Sequence, residues 1–241
     1  MEDPTIQDLA LASEASYSDT APENYTKLAE LSSPEISTYR HTQKPHYIIA
    51  HRGTDLADQN SARKDVRADL NIALGNKESD ALHKRRTKKT ESIVKAIKKK
   101  EPAHDIFLTG HSLGGSTSSH AMASSKVVRE NVKEHHTFNS GSSALQKKPD
   151  VTPEVKDQLM EKSTHHAVKG DEISAHVASN LIGKTKKYAS TKKPSIAQHV
   201  LALATPLLKR TFAGRLVAFG AKKALGTLQS HSLDNFITKK K

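Results

Sequence analysis

A Gly-x-Ser-x-Gly segment, Gly110 to Gly114, directly follows the apolar run Ile106-Phe107-Leu108. This pattern is typical of a sharp strand-to-helix turn that lifts one serine hydroxyl above the edge of a sheet. Glycines suit both flanking positions because a side chain there would crowd a turn in which the serine backbone is strained. The small residues from Ser116 to Ser125 then favour a helix. Ser112 is therefore a predicted nucleophile. The alternative is an N-cap whose hydroxyl bonds the first free amides of that helix.

The Ser112 hydroxyl would need a histidine to take its proton, and that histidine would need a carboxylate to orient it. When such a turn opens a helix in an α/β-hydrolase, the order along the chain is Ser, Asp or Glu, then His. We expect His231 to be the base, with His199 as its main competitor. Asp171 is the favoured carboxylate because it follows the apolar pair 167–168, where a strand is expected to end. Weaker acidic candidates are Asp150, Asp157 and Glu172.

Alternating strand and helix patterns surround these residues. We predict strands at 36–40, 46–51, 106–109, 137–138 and 167–168. Predicted helices begin at Asp3-Pro4, near Pro22 and near residue 81, the last of them running to residue 100. This order predicts an α/β fold with a mostly parallel central sheet and helices on both faces.

The composition is polar and basic. The 241 residues carry 38 Lys and Arg against 26 Asp and Glu, for a formal charge of +12, and only 35% of them are hydrophobic. Such a surface attracts phosphate groups, whether of nucleic acid or of anionic lipid. The basic residues of the predicted helix 81–100 form either a solvated face or an anion-binding patch.

Four separated patches resemble the class 3 lipase family, the fungal-lipase-like branch of the α/β-hydrolases. They are Ala50 to Thr54, Gly110 to Gly115, Gly170-Asp171 followed by Ile173, and His231 to Phe236. The segment 11–17 is similar to the helix that opens these domains. The resemblance spans nearly the whole chain and implies one domain over residues 1–241, with a basic tail at 238–241.

This resemblance implies roles for five residues. Ser112, Asp171 and His231 would form the catalytic triad, while the amides of Thr54 and Leu113 would form the oxyanion hole. The implied activity is that of a serine ester hydrolase, a lipase or phospholipase A acting on glycerolipid or phospholipid esters through an acyl-enzyme. The alternative is a catalytically inactive hydrolase scaffold with a basic surface that binds nucleic acid or an anionic membrane.

Two departures from the family affect the expected substrate. His51 stands where the family usually has an aromatic residue. Residues 55–64, where these lipases keep an apolar lid, are polar and contain no aromatic residue. A polar lid suits a soluble ester or a phospholipid better than an oil droplet.

The remaining features concern location and partners. The chain has no cysteine, no signal-peptide pattern and no uninterrupted apolar run of about 20 residues, so we expect an intracellular protein or one packaged in a virus particle. In its compact form it resembles lipase-like proteins of large DNA viruses. The apolar segment 195–228 is expected either to pack on the sheet or to rest on a membrane.

No metal or cofactor is expected. The pairs His135-His136 and His165-His166 are the candidates for metal ligands, but neighbouring residues of a strand point to opposite faces of a sheet. An anionic membrane surface and a lipid or ester substrate are the expected partners. Nucleic acid is less expected, because aromatic residues do not interleave with the basic runs.

Overall fold

A mixed sheet forms the centre of the molecule. The structure is a computed structural model that describes residues 2–53, 79–140, 151–169, 181–189 and 232–237. Within these residues the sheet has seven strands, ordered β1 to β7 as in the chain. β1, β2 and β3 pair antiparallel, whereas β3 to β7 pair parallel. The strands are β1 (Tyr25–Lys27), β2 (Ile36–His41), β3 (His46–His51), β4 (Asp105–His111), β5 (Glu134–Phe138), β6 (Ser163–Val168) and β7 (Lys184–Tyr188).

Helices cover both faces of this sheet. α1 packs on one face, together with a short 3-10 turn at Leu233–Asn235. Four further helices contribute to the core on the opposite face, and a second 3-10 turn spans Ala29–Leu31. The helices are α1 (Ile6–Ala15), α2 (Ser79–Lys100), α3 (Leu113–Ser124), α4 (Lys126–Asn131) and α5 (Pro153–Lys162). The predicted α/β class, with a mostly parallel sheet between helices, is confirmed.

Strand alternation divides the core into two layers. On β4, Ile106 and Leu108 point toward α2 and α3, while Phe107 points toward α1. All three side chains are fully buried. A parallel strand covered on both faces has an unbroken apolar run for this reason, and the run before the Gly-x-Ser-x-Gly segment is such a strand.

The predicted helix after residue 80 is also present. Ile93, Val94 and Ile97 of α2 face the core, while its lysines point outward. The predicted pair of strands at 36–40 and 46–51 forms an antiparallel hairpin, with Ile36 opposite His51.

The predicted start of α1 at Asp3-Pro4 is wrong by two residues. Thr5 is the N-cap: its hydroxyl accepts a hydrogen bond from the Asp8 amide at 3.1 Å, and the Asp8 carboxylate accepts one from the Thr5 amide at 2.8 Å. This reciprocal capping box satisfies two amides that would otherwise be unpaired. Asp3 instead forms an ion pair with Lys133 at 2.7 Å.

The predicted helix near Pro22 is also wrong, because Tyr25 begins strand β1. Tyr25 is buried, it lies opposite His41 on β2, and its hydroxyl is 2.9 Å from Nε2 of His46. Pairing along the edge of the sheet outweighs the weak helical pattern of this segment.

The parallel order brings the carboxyl ends of β3, β4, β5 and β6 to one edge of the sheet, called the carboxyl edge below. In open α/β sheets this is the edge at which ligands bind. Within the described residues, no helix combines the length and the apolar character needed to cross a bilayer.

Candidate active site

Ser112 lies in the single-residue turn between β4 and α3. Its backbone has φ 56° and ψ −123°, a positive φ that non-glycine residues rarely adopt and that costs of order 1–3 kcal/mol. The Ser112 amide donates to the Phe138 carbonyl at 3.1 Å, and the Ser112 carbonyl accepts from the Ser116 amide at 3.2 Å. The side chain is half-buried at the carboxyl edge. Strand β5 and the first turn of α3 therefore hold the strained backbone in place.

The flanking glycines are required by close approach of the backbone. A Cβ on Gly110 would overlap the Gly114 backbone, and a Cβ on Gly114 would overlap the His51 carbonyl at the end of β3. The two glycines thus let β4, α3 and the end of β3 meet around one residue. This is the tight strand-turn-helix that the Gly-x-Ser-x-Gly pattern predicts.

The alternative role of Ser112 as an ordinary N-cap is not supported. Ser112 occupies the N-cap position of α3, but its side chain accepts no capping hydrogen bond from this helix. The caps of α1, α4 and α5 do use their hydroxyls, at Thr5, Ser125 and Thr152. A conventional cap would not need a positive φ, because cap residues usually adopt an extended backbone.

His111, the neighbour of Ser112, is held by Tyr17, which lies two residues after the end of α1. Its Nδ1 lies 2.9 Å from the Tyr17 hydroxyl, and the Arg52 guanidinium stands over the Tyr17 ring at 5.8 Å. The backbone of Gly53 packs against the Tyr17 hydroxyl and the His111 carbonyl. The end of β3 is therefore held beside the Ser112 turn. Tyr17 closes the segment 11–17, and its place in that segment is the only sequence signal for this contact.

Asn139 connects the ends of β5 and β6. Its amide donates to the His166 carbonyl at 2.8 Å, and its side-chain oxygen accepts from the Val168 amide at 2.9 Å. Asn139 also has a positive φ of 43°, which asparagine tolerates better than most residues. Asn139 is not among the predicted site residues, although an Asn directly after a short strand is a turn signal. This bridge fixes the point at which the chain leaves β6, three residues before Asp171.

The turn after residue 231 is anchored on the α1 side of the sheet. Leu233 is buried in the α1 layer, and the Phe236 ring lies 5.0 Å from Phe138 and 5.3 Å from Tyr188. Phe138 is the residue whose carbonyl binds the Ser112 amide. The segment that follows His231 is thus attached next to the Ser112 turn.

His51, the departure from the usual aromatic residue, is fully buried behind this turn. Nδ1 lies 2.9 Å from the Thr117 hydroxyl, and Nε2 lies 2.9 Å from the Thr90 hydroxyl. Thr90 donates to the Arg86 carbonyl at 2.8 Å, so its oxygen accepts from Nε2–H. Burial, followed by the nearby Arg86 charge, holds the pKa of His51 well below its usual value. The imidazole therefore fills an aromatic position while it ties β3 to α2 and α3.

The sequence profile of the class 3 lipases matches residues 48–171. This range is more than half of the 241 residues. The chain belongs to the class 3 lipase family. It has the fold of that family, and membership supports lipase-type ester hydrolysis. A comparison with curated proteins finds no match to the sequence.

Solved lipase structures match this chain at low sequence identity. A fungal lipase–inhibitor complex, described as a model for interfacial activation in lipases, has a TM-score of 0.52 at 15% identity. The match covers 78% of this chain and 79% of the fungal lipase chain. The Rhizomucor miehei lipase–propeptide complex has a TM-score of 0.47 at 14% identity, and the match covers 78% of this chain and 68% of that lipase chain. A triacylglycerol lipase from Penicillium expansum has a TM-score of 0.44 at 18% identity, and the match covers 77% of this chain and 78% of that lipase chain.

Two of the five predicted site residues, Ser112 and Leu113, lie within the described part of the chain. Leu113 is buried and is the first residue of α3. Because the first amides of a helix have no intrahelical partner, an amide at this position is suited to bind an anion. Thr54, Asp171 and His231 lie outside the described residues, as do the competitor His199 and the predicted polar lid at 55–64.

The two histidines of the pair His135-His136 lie on opposite faces of the sheet. His135 points toward α3 and His136 toward the opposite face, where its Nδ1 lies 3.0 Å from Nε2 of His166. The opposite orientation of neighbouring strand residues is thus as expected. Among the described residues, no group of three or more acidic or histidine side chains is arranged to hold a metal ion.

Proposed function

We propose that the protein is a serine-dependent carboxylic ester hydrolase of the lipase or phospholipase A type. The observation that carries the proposal is the strained, half-buried Ser112 at the carboxyl edge, between the apolar strand β4 and the free amides of α3. A serine that is held in this way and is not used as a cap has its hydroxyl available for attack on a carbonyl.

The proposed reaction uses the five residues in two steps. The Ser112 oxygen attacks the ester carbonyl carbon while His231, oriented by Asp171, takes the hydroxyl proton. The negative charge on the carbonyl oxygen is bound by the Thr54 and Leu113 amides. His231 returns the proton to the departing alcohol, which leaves an acyl-enzyme. Water then repeats the sequence, releases the carboxylic acid and restores Ser112.

Three observations support the positions of the partners. Asn139 fixes the end of β6 just before Asp171, Phe236 anchors the turn just after His231, and the Gly53 backbone packs on His111 just before Thr54. All three contacts lie around the Ser112 turn. The proposed substrate is a glycerolipid or phospholipid ester, since the 55–64 segment has the polar character that suits a phospholipid or a soluble ester.

Paired variants test the assignments. Hydrolysis of p-nitrophenyl esters and of phospholipid vesicles should be abolished by Ser112→Ala and His231→Ala and reduced about 10⁴-fold by Asp171→Asn. The matched controls Ser92→Ala, His199→Ala and Glu172→Gln should retain activity. Loss of activity in His199→Ala with retention in His231→Ala would reverse the assignment of the base. Equal activity of wild type and Ser112→Ala would contradict the proposal.

A further inference from the structure

Arg86 on α2 is a buried cation that reaches the carboxyl edge of the sheet. Its guanidinium donates to the Arg52 carbonyl at 2.6 Å, just beyond the end of β3. It also donates to the Thr117 hydroxyl at 3.2 Å, and this hydroxyl donates to the Gly114 carbonyl in the first turn of α3 at 3.2 Å. One side chain therefore connects α2 with the end of β3 and with the helix that begins after Ser112.

The backbone of residue 52 is held at both of its polar groups. The Arg52 amide donates to the Glu35 carbonyl at 2.9 Å, and the Arg52 carbonyl accepts from Arg86. The carbonyl of residue 52 and the amide of Gly53 belong to one planar peptide unit. The contact with Arg86 therefore also sets the direction of the Gly53 amide, one residue before Thr54.

A second buried arginine, Arg129 on α4, makes a comparable set of contacts at the other end of α3. It donates to the Met122 and Ala123 carbonyls at 3.0 and 2.9 Å, in the last turn of the helix. A cation in that place caps the helix and complements its negative end. Arg86 instead lies beside the start of α3, where the helix dipole opposes a cation. The stability of α3 explains the position of Arg129 but not that of Arg86, whose contact with residue 52 points to the site.

We propose that Arg86 is a positioning residue for the oxyanion hole. By holding the Arg52 carbonyl, it fixes the peptide that leads to Thr54, whose amide is a proposed oxyanion donor. The inference rests on the proposed function, since it concerns the transition state of that reaction. Oxyanion donors are effective when they are already aimed at the developing charge, and a displacement of about 1 Å can cost roughly 100-fold in rate. Arg86 thus acts through the backbone and does not need to touch the substrate.

The test compares Arg86→Met with Arg129→Met, which removes the other buried guanidinium from the same helical layer. Endpoint titration with a fluorophosphonate first counts the reactive Ser112, so that misfolded protein does not enter the turnover number. The values of kcat and KM are then measured with p-nitrophenyl butyrate. The inhibition constant of phenylboronic acid is measured in parallel, because this compound forms a tetrahedral adduct on a reactive serine and places an oxygen in the oxyanion hole.

We expect Arg86→Met to lower kcat per titrated site about 10- to 100-fold, with KM changed less than about twofold. The affinity for phenylboronic acid should fall by a similar factor. Arg129→Met should lower the melting temperature but keep kcat and boronic acid affinity within about twofold of the wild type. Arg86→Lys replaces the planar fork by a point donor and should lose about threefold to tenfold in kcat. This variant carries the test if Arg86→Met does not fold.

Unchanged kcat and boronic acid affinity per titrated site in the Arg86 variants would overturn the inference, as would equal losses in Arg129→Met. A higher KM with kcat unchanged would also overturn it, because that result would mean a role in binding the ground state. Failure of the fluorophosphonate to titrate the wild-type protein would overturn the proposed function and this inference together. Normal wild-type titration with fully active Arg86 variants would overturn the inference alone.

Discussion

The parallel strands β3 to β6 are buried along the middle of the sheet, but two pairs of strands bury different kinds of side chain. We call β3 and β4 the aliphatic half and β5 and β6 the histidine half. In the aliphatic half, the middle of β3 and β4 is apolar, at residues 48–50 and 106–108. In the histidine half, β5 and β6 bury His135, His136, His165 and His166. The middle of the first half is stabilised by burial of apolar surface, whereas the middle of the second half depends on hydrogen bonds between imidazoles and hydroxyls.

The histidine half satisfies its polar atoms in pairs. His135 lies 3.0 Å from the Ser118 hydroxyl and 3.1 Å from the Ser163 hydroxyl, and His165 lies 2.8 Å from the Thr137 hydroxyl. On the other face His166 lies 2.8 Å from the Tyr188 hydroxyl. Buried polar groups are tolerated when they are paired in this way. This chain therefore builds much of its described core from histidine, serine and threonine, which is consistent with its low hydrophobic content.

The largest expected effect is loss of stability in acid. Burial lowers the pKa of His165 to about 4 and that of His166 to about 3, and it lowers the pKa of His135 well below its usual value. The unfolded chain therefore binds more protons, so stability falls as the pH drops below about 6.5. At pH 5 the neutral His165 and His166 each cost about 2 kcal/mol, or roughly 4 kcal/mol together, and His135 adds to the loss in the same direction. Urea unfolding at pH 7.5 and 5.0 measures this loss, and equal unfolding free energies would contradict it.

A cavity in the aliphatic half should cost stability without pH dependence. Leu108→Ala removes a fully buried side chain from β4 and should lower the unfolding free energy by about 2–5 kcal/mol. The loss should be the same at pH 7.5 and 6.0, since no titrating group is removed. Ser92→Ala on the exposed face of α2 is the control and should change stability by less than about 0.5 kcal/mol. A strongly pH-dependent loss in Leu108→Ala would contradict the assignment of acid sensitivity to the histidine half.

Replacing one buried imidazole should change both the stability and its pH dependence. His135→Leu leaves the Ser118 and Ser163 hydroxyls without their partner and should cost about 1–3 kcal/mol at pH 7.5. It should also remove about one proton from the uptake on unfolding between pH 7.5 and 5, because the leucine does not titrate. Unfolding curves over this range measure both effects. An unchanged pH slope would mean that His135 does not contribute to acid sensitivity.

The smallest effect concerns a charge beside the histidine half. Lys186 lies opposite His166 in the register of β6 and β7, and it helps burial to lower the pKa of His166. Lys186→Gln should therefore raise that pKa, so that in NMR spectra of the still-folded protein the imidazole signals begin to shift at a higher pH on acidification. Lys187→Gln, the adjacent residue on the other face of the strand, is the control and should leave the pKa of His166 in place. Equal shifts would indicate a general charge effect.

The same contrast explains what sequence could predict. The hydrophobic runs of β3 and β4 predicted both strands and the Ser112 turn that follows β4. Strands β5 and β6 were predicted only as the pairs 137–138 and 167–168, because the preceding histidines carry no apolar signal. The segment of β1 has a weak helical pattern in the sequence, and its three residues become a strand only because they pair with β2. Contacts between distant residues, such as Tyr17 with His111 and Asn139 with Val168, depend on the assembled sheet edge and have no local signature.

The central claim is that Ser112 is an activated nucleophile. A fluorophosphonate probe, which forms a covalent bond with such a serine, tests it directly. After labelling and proteolysis, mass spectrometry should locate the probe on the peptide that contains Ser112, and Ser112→Ala should abolish the labelling while Ser92→Ala leaves it intact. No labelling of the folded wild-type protein, or labelling that persists in Ser112→Ala, would contradict the claim.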